Sequence, residues 1–272
     1  MSFLVAITRL AEAAQSDEGR GSEAATLAPL VGTGAYELRV MLGGGAPLVV
    51  ASTPDAQLAR DLVVTLRSRG HGAIACDGDA VTRGEDMFSP REFTFETDAL
   101  TSEGPTGEPA RFAWSDVLAL VVATHVRSET TTVETSKKSL SLGRAAMTGG
   151  LLLSKTTHKT EHKANEEREP VLYMLHRQGQ GHWLLTESRL RYGGLGPRRG
   201  PAAHDNFRAL LDMLRRQVPG ALYDDRLLTQ KRAAGSLQML GAAKARTLAR
   251  SNAGETDLAA HLLAVGHVQQ QL

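Results

Sequence analysis

The longest uninterrupted apolar run in this sequence is Val117 to Ala123, only seven residues. A bilayer-spanning helix needs ~20, so the chain must bury its hydrophobic surface by packing short elements against one another. The material for that core is aliphatic: hydrophobic residues make up 42% of the 272 positions and aromatics only 4%. Lys and Arg number 31 against 30 for Asp and Glu, a formal charge of +1. A chain that works by neutralising phosphates would carry a basic excess, so a dedicated nucleic-acid binder is disfavoured. The one cysteine, Cys76, excludes a disulfide framework and a cysteine-based zinc site. Residues 1–9 have no positively charged leader region, which predicts no signal peptide and a cytoplasmic location.

Phe3 to Leu10 predicts a first strand, from its β-branched Val5, Ile7 and Thr8. Ser16 to Gly21 reads as a loop, and Ser22 as the N-cap of a short helix through Leu27 that Pro29 interrupts. Tyr36, Leu38, Val40 and Leu42 alternate with Glu37, Arg39 and Met41, the period of a half-buried strand. Gly43-Gly44-Gly45 would turn it back into a strand over Pro47 to Ser52. Thr53 and Pro54 then open a helix whose stripe is Leu58, Leu62, Val63 and Leu66, closed by Arg67, Arg69 and Gly70. His71 to Ala75 is a further strand. This order over residues 1–82 resembles the ferredoxin-like βαββαβ fold, and the resemblance implies one such domain over 1–88.

From residue 90 the pattern turns strand-rich. Phe93 to Thr97, Phe112 to Val126, Thr130 to Thr135, Pro170 to His176, His182 to Glu187 and Arg189 to Tyr192 all read as strands. Thr101 to Pro109 reads as a loop. From Asp205 the period becomes helical, with Phe207, Leu210, Leu211 and Leu214 on one face before Pro219-Gly220. Phe112-x-Trp114-Ser115-Asp116-Val117 entering an early strand, and Asn206-Phe207 opening the closing helix, resemble the bacterial PH-like fold over 92–220. No compact Lys/Arg cluster marks a lipid-headgroup site there. The Thr/Lys/Glu-biased stretch Arg127 to Glu169 is expected to be a long flexible loop or a partner-ordered arm. Residues 221–272 predict a basic helical tail, solvated or docked on the protein itself, with docking on a partner as the competing reading, and with Leu258, Leu262 and Val265 on one side of a last helix.

His158-Lys159-Thr160-Glu161-His162 satisfies H-x-x-E-H. On a helix His158 and His162 would share a face and reach one zinc, with Glu161 as general base. The polar flanks offer no stripe to bury such a helix and no third ligand is identifiable, so a solvated segment is the competing reading. Cys76 reads as a small core residue rather than a nucleophile. Asp77-Gly78-Asp79 is too short for a calcium loop and reads as a surface turn. Gly43 to Gly45 joins two strands, and Gly143 to Gly150 lacks the Lys-Ser/Thr of a phosphate loop. The pairs Arg189/Arg191, Arg198/Arg199 and Arg215/Arg216 read as a solvated face, and Trp114 and Trp183 as core or rim anchors.

These features predict an α+β protein with two aliphatic cores and no reactive centre. Its expected role is that of a non-enzymatic cytoplasmic binding or interaction protein, without cofactor, acting on an unknown protein partner. Two alternatives stay open: a zinc-dependent hydrolase built on His158, His162 and Glu161, and a peripheral membrane-binding adaptor.

Overall fold

A computed structural model describes residues 2–140, 154–229 and 247–272. The architecture is mixed α+β, and among the described residues no sheet closes into a barrel. The chain forms two compact units: Met1–His125 with Glu169–Gln238 and Asn252–Leu272, and Val126–Arg168 with Met239–Ser251. This division follows different lines from the sequence boundaries near residues 88 and 220.

In the first unit, β1 (Phe3–Arg9) lies between β2 (Leu48–Thr53) and β3 (Gly72–Asp77), antiparallel to both. Val5 and Ile7 face a core shared with α1 (Asp17–Val31), α2 (Ala35–Gly43) and α3 (Ala56–Ser68). Between them, Ala6 faces Leu262 on the other side. A strand buried on both faces reads as a continuous apolar run, which is how this segment reads.

The predicted strand over Tyr36 to Leu42 is instead helix α2. Leu38 and Leu42 stand four apart, a spacing that satisfies both the strand and the helix period. The helix buries those two and leaves Tyr36 82% and Val40 46% exposed. The glycines that follow end a helix and make no hairpin, so the predicted six-element order is replaced by a three-stranded sheet. Helix α1 also starts earlier than expected. Ser16 is its N-cap, accepting from the Gly19 amide at 3.0 Å, and Asp17 and Glu18 suit the positive end of the dipole. The cap of α3 is Asp55 rather than Thr53, its Oδ1 accepting from the amides of Gln57 (2.7 Å) and Leu58 (3.2 Å). Gly70 closes α3 in the left-handed region, φ +89°, as the sequence predicts.

A polar knot ties these elements. His71 Nδ1 accepts from the Ala11 amide at 3.0 Å, so its Nε2 carries the proton and donates to Glu23 Oε1 at 3.0 Å. Arg69 grips both Glu23 oxygens at 2.6 Å. That two-pronged hydrogen bond, more than any other contact, holds the Glu23 carboxyl below its ordinary range.

Strands β4 (Glu92–Phe95), β5 (Ala99–Glu103) and β6 (Pro109–Ala113) form an antiparallel meander. The loop predicted over 101–109 is thus partly strand, and the turn narrows to 104–108. Next come β7 (Val117–Leu140), β8 (Ser154–His176) and β9 (Trp183–Thr186). Helix α4 (Ala203–Gln217) leads to β10 (Leu222–Leu227), which pairs parallel to β7. β11 (Thr247–Ser251) pairs antiparallel to β7 over 127–131, within the second unit. Helix α5 (Ala253–Val268) ends the chain. The expected strand over Arg189 to Tyr192 is reduced to one bridge between Glu92 and Arg191.

Where a long loop is predicted over 127–169, the backbone is extended through residue 140 and again from residue 154. β-Branched residues such as Thr130 to Thr132, Val133, Thr156 and Thr157 favour that conformation. The Gly143 to Gly150 stretch lies outside the described residues.

Within the first unit, β7 and β8 sort their side chains by period two. Leu120, Val122, Leu172 and Met174 face Phe112, Trp183 and the α4 residues Phe207, Leu210 and Leu214. Ala119, Val121, Tyr173 and Leu175 face the α5 residues Ala259, Ala260 and Leu263. Leu262 of α5, with Leu258 and Val265 beside it, packs on Ala6 and Ile74 of the other sheet. One helix therefore serves both sheets, which requires it to be apolar nearly all round. The helical tail predicted over 221–272 is corrected in part: 222–227 is a strand, while 253–268 is a helix docked on the protein itself, one of the expected readings.

Candidate functional site

The N-terminal end of α5 opens on a cleft of about 1030 Å³. Its walls come from the segment after β3 (Asp79, Arg83, Gly84), from β7 and β8 (His125, Glu169), from β9 (Leu184, Thr186) and from α5 (Gly254, Asp257). Lining carboxylates outnumber guanidiniums: Asp79, Glu85, Asp86, Glu169 and Asp257 against Arg83 and Arg189. Both arginines are exposed, whereas Asp257 is buried and Glu169 and His125 are half-buried.

Three of these elements meet at a buried hydrogen-bond chain. Tyr173 of β8, with no exposed surface, donates its phenol proton to Asp257 Oδ1 at 2.7 Å. The other Asp257 oxygen accepts from the Gly84 amide at 2.8 Å. With its proton directed to Asp257, the Tyr173 oxygen accepts from His125 Nε2 at 2.8 Å. The chain fixes the tautomer of His125: Nε2 carries the hydrogen and Nδ1 keeps its lone pair. Burial, ahead of every charge nearby, pushes the His125 imidazole below its ordinary range; Asp257 and Glu169 oppose that shift and Arg189 adds to it. His125 is therefore neutral at pH 7.

A second histidine group involves His176, His182 and His261. His182 Nδ1 accepts from the His176 amide at 2.9 Å. Burial first, then the neighbouring His261 and His176, pushes His182 down to about 4. His261 of α5 is also shifted down, by burial.

The residues singled out from sequence fall elsewhere. Residues 158–162 lie within β8, so the helical premise of the H-x-x-E-H reading is overturned. In a helix the α-carbons of His158 and His162 would be about 6 Å apart; along a strand they are about 13 Å apart. The side chains of His158, Glu161 and His162 lie outside the described residues. Among the described residues no group of three His, Cys, Asp or Glu is placed to hold a metal. Cys76, on β3, is half-buried, and burial followed by the Asp77 charge pushes its thiol up to about 11. It stays a thiol at neutral pH. Asp77 Oδ1 accepts from the Asp79 amide at 3.0 Å, which makes Asp77-Gly78-Asp79 the turn its sequence predicts. Trp183 is buried edge-on to Phe112 at 5.5 Å, and Trp114 stacks on Phe95 at 5.8 Å. Arg191 pairs with Glu92 at 2.7 Å, and Arg215 sits 3.9 Å over the Tyr223 ring.

Sequence reasoning missed His125, Tyr173 and Asp257. No short spacing links them: 48 residues separate the first two and 84 the second two. The one available cue is Tyr173 itself, a phenol inside the apolar stretch Val171 to Leu175, since a buried Tyr hydroxyl normally has a partner. No family model, curated protein or solved structure matches the chain.

Proposed function

We propose that this protein acts by binding rather than by catalysis, and that the cleft at the start of α5 holds its ligand. The observation that carries this reading is the construction of the cleft. It is large enough for a small molecule or a chain end, and its deep wall is a set of polar groups held in place by a buried hydrogen-bond chain. Ligand sites combine such a concavity with a few fixed polar groups.

The N-terminal sheet supports a ferredoxin-like ancestry in part: the order β2-β1-β3 is what such a sheet keeps when a helix replaces its second strand. The meander β4-β5-β6, the strands β7 to β9 and the closing helix α4 around Phe112 and Phe207 support a PH-like reading of 92–220. Neither fold names a ligand, because each hosts many functions.

Gly254 supplies the test. A Cβ at this position meets nothing within 4 Å and Gly254 lines the cleft, so Gly254→Phe is expected to crowd the cleft, with an unchanged circular-dichroism spectrum as the check on the fold. In a thermal-shift screen of small polar compounds of both charges, wild-type protein is stabilised by at least one compound and the variant by none of the same. A hit that stabilises both equally, or no hit at all, overturns the reading.

A further inference from the structure

We infer that Nδ1 of His125 and Oε2 of Glu169 together receive the cationic head, an ammonium or a guanidinium, of the ligand held in this cleft. The inference rests on the reading of the cleft as a binding site and names the chemistry that site selects. Its basis is an inventory of acceptors. The Tyr173–Asp257 chain occupies Nε2 of His125 and leaves Nδ1 with a lone pair. Among the described residues, no hydrogen bond reaches that lone pair. Glu169 is similar: Oε1 accepts from the amide and hydroxyl of Ser188, and Oε2 accepts from no described residue. Asp257, by contrast, has both oxygens occupied.

The wall thus offers two half-buried acceptors and one buried carboxylate charge. An anion placed there would meet lone pairs and like charge; the positive pull open to it comes from the exposed Arg83 and Arg189 and the N-terminus of α5, against five lining carboxylates. A guanidinium or ammonium has several N–H donors and a positive charge, which answers both acceptors at once. The charged and titratable groups facing His125 are Tyr173 and Glu169 from β8, Asp257 from α5 and Arg189 from the turn after β9. Two of these four, the carboxylates of Glu169 and Asp257, favour a cation beside the ring, and Arg189 opposes one. Tyr173 and Asp257 act as positioning residues, because they set which imidazole nitrogen is left to accept.

The test uses full-length protein, nitrogen NMR of its histidines, and two probes: agmatine, a small guanidinium-amine, and inorganic phosphate. Free wild-type protein shows His125 with Nε2 protonated and Nδ1 bare. Agmatine shifts the Nδ1 resonance and saturates, and phosphate does not. Glu169→Gln weakens agmatine binding about tenfold, as expected for one hydrogen bond to a charged group. Tyr173→Phe releases the tautomer into a mixture and weakens binding by a similar factor. If that variant unfolds, His125→Gln at a half-buried position gives the same loss of affinity. A protonated Nδ1 in the free protein, or agmatine binding that leaves Nδ1 unmoved, overturns the inference. Phosphate alone perturbing the cleft amides leaves the cleft a binding site and removes the cation. Neither probe perturbing them counts against both readings.

Discussion

The phenol of Tyr173 and the carboxylate of Asp257 meet at 2.7 Å in the interior, joining strand β8 to helix α5 across 84 residues of chain. That contact orients His125, closes one end of α5 against the sheet and builds the deep wall of the cleft. Its removal therefore has structural as well as functional consequences.

Tyr173→Phe strips one donor from a buried carboxylate and keeps the ring volume. An under-satisfied buried acceptor costs about 1–3 kcal/mol. Urea unfolding followed by circular dichroism should show a loss of that size, with an unchanged slope against denaturant. A loss below about 0.5 kcal/mol, the range of ordinary surface changes, would mean the bond is not made in solution.

Stability should fall on mild acidification, because His182 is held near 4 in the fold against an ordinary value of 6.5. Above pH 6.5 both folded and unfolded chains carry it neutral, and its contribution is complete. Between 6.5 and about 4 the unfolded chain takes up a proton that the fold resists. Stability drops over that window by on the order of 3 kcal/mol, and no further below it. His125 and His261 are shifted in the same direction and steepen the fall. His182→Asn keeps an acceptor near the His176 amide and cannot charge. Its urea midpoint should vary less with pH, and an unchanged pH slope would refute the assignment.

Glu23→Gln removes the charge that pairs with Arg69 and weakens the acceptor of the His71 Nε2 hydrogen. The carboxylate is buried and Arg69 is a third exposed, so solvent limits the effect to about 1–3 kcal/mol. The Glu23 carboxyl titrates below its ordinary 4.5, so its contribution is present above that pH and is lost as the pH falls through the lowered value. The variant and wild type should converge at the acid end of a urea-midpoint profile. A constant gap between them across that range would point to packing rather than charge.

Truncating α5 discriminates its buried face from ordinary surface. Leu263 has no exposed surface, and Leu263→Ala leaves a cavity worth about 2–5 kcal/mol. Leu58 on α3 was expected in the core stripe yet is 45% exposed. Leu58→Ala should stay within about 0.5 kcal/mol of wild type. Comparable losses at the two positions would show that α5 is not docked as described.

Much of the local structure was legible in the amino-acid order. The stripe Phe207, Leu210, Leu211 and Leu214 gave α4, the glycine at position 70 gave the end of α3, and the apolar segments at 117–123 and 170–176 gave the central strands. These signals succeed because they are periodic or steric, and each acts within one turn or one strand. They failed where one spacing serves two geometries: Leu38 and Leu42 suit a strand or a helix alike, and only packing against the sheet settled it. The stretch 127–169 was misread for a related reason, since its polarity suggested a loop while its threonines favoured extended backbone.

The sequence by itself determined the aliphatic core, the mixture of helices and strands and the glycine that ends α3, because periodicity, propensity and side-chain volume are properties of neighbours along the chain. Only the tertiary structure decided that α5 lies between two sheets and that His125, Tyr173 and Asp257 converge. Those facts depend on which distant surfaces exclude water together, and no local pattern records that choice.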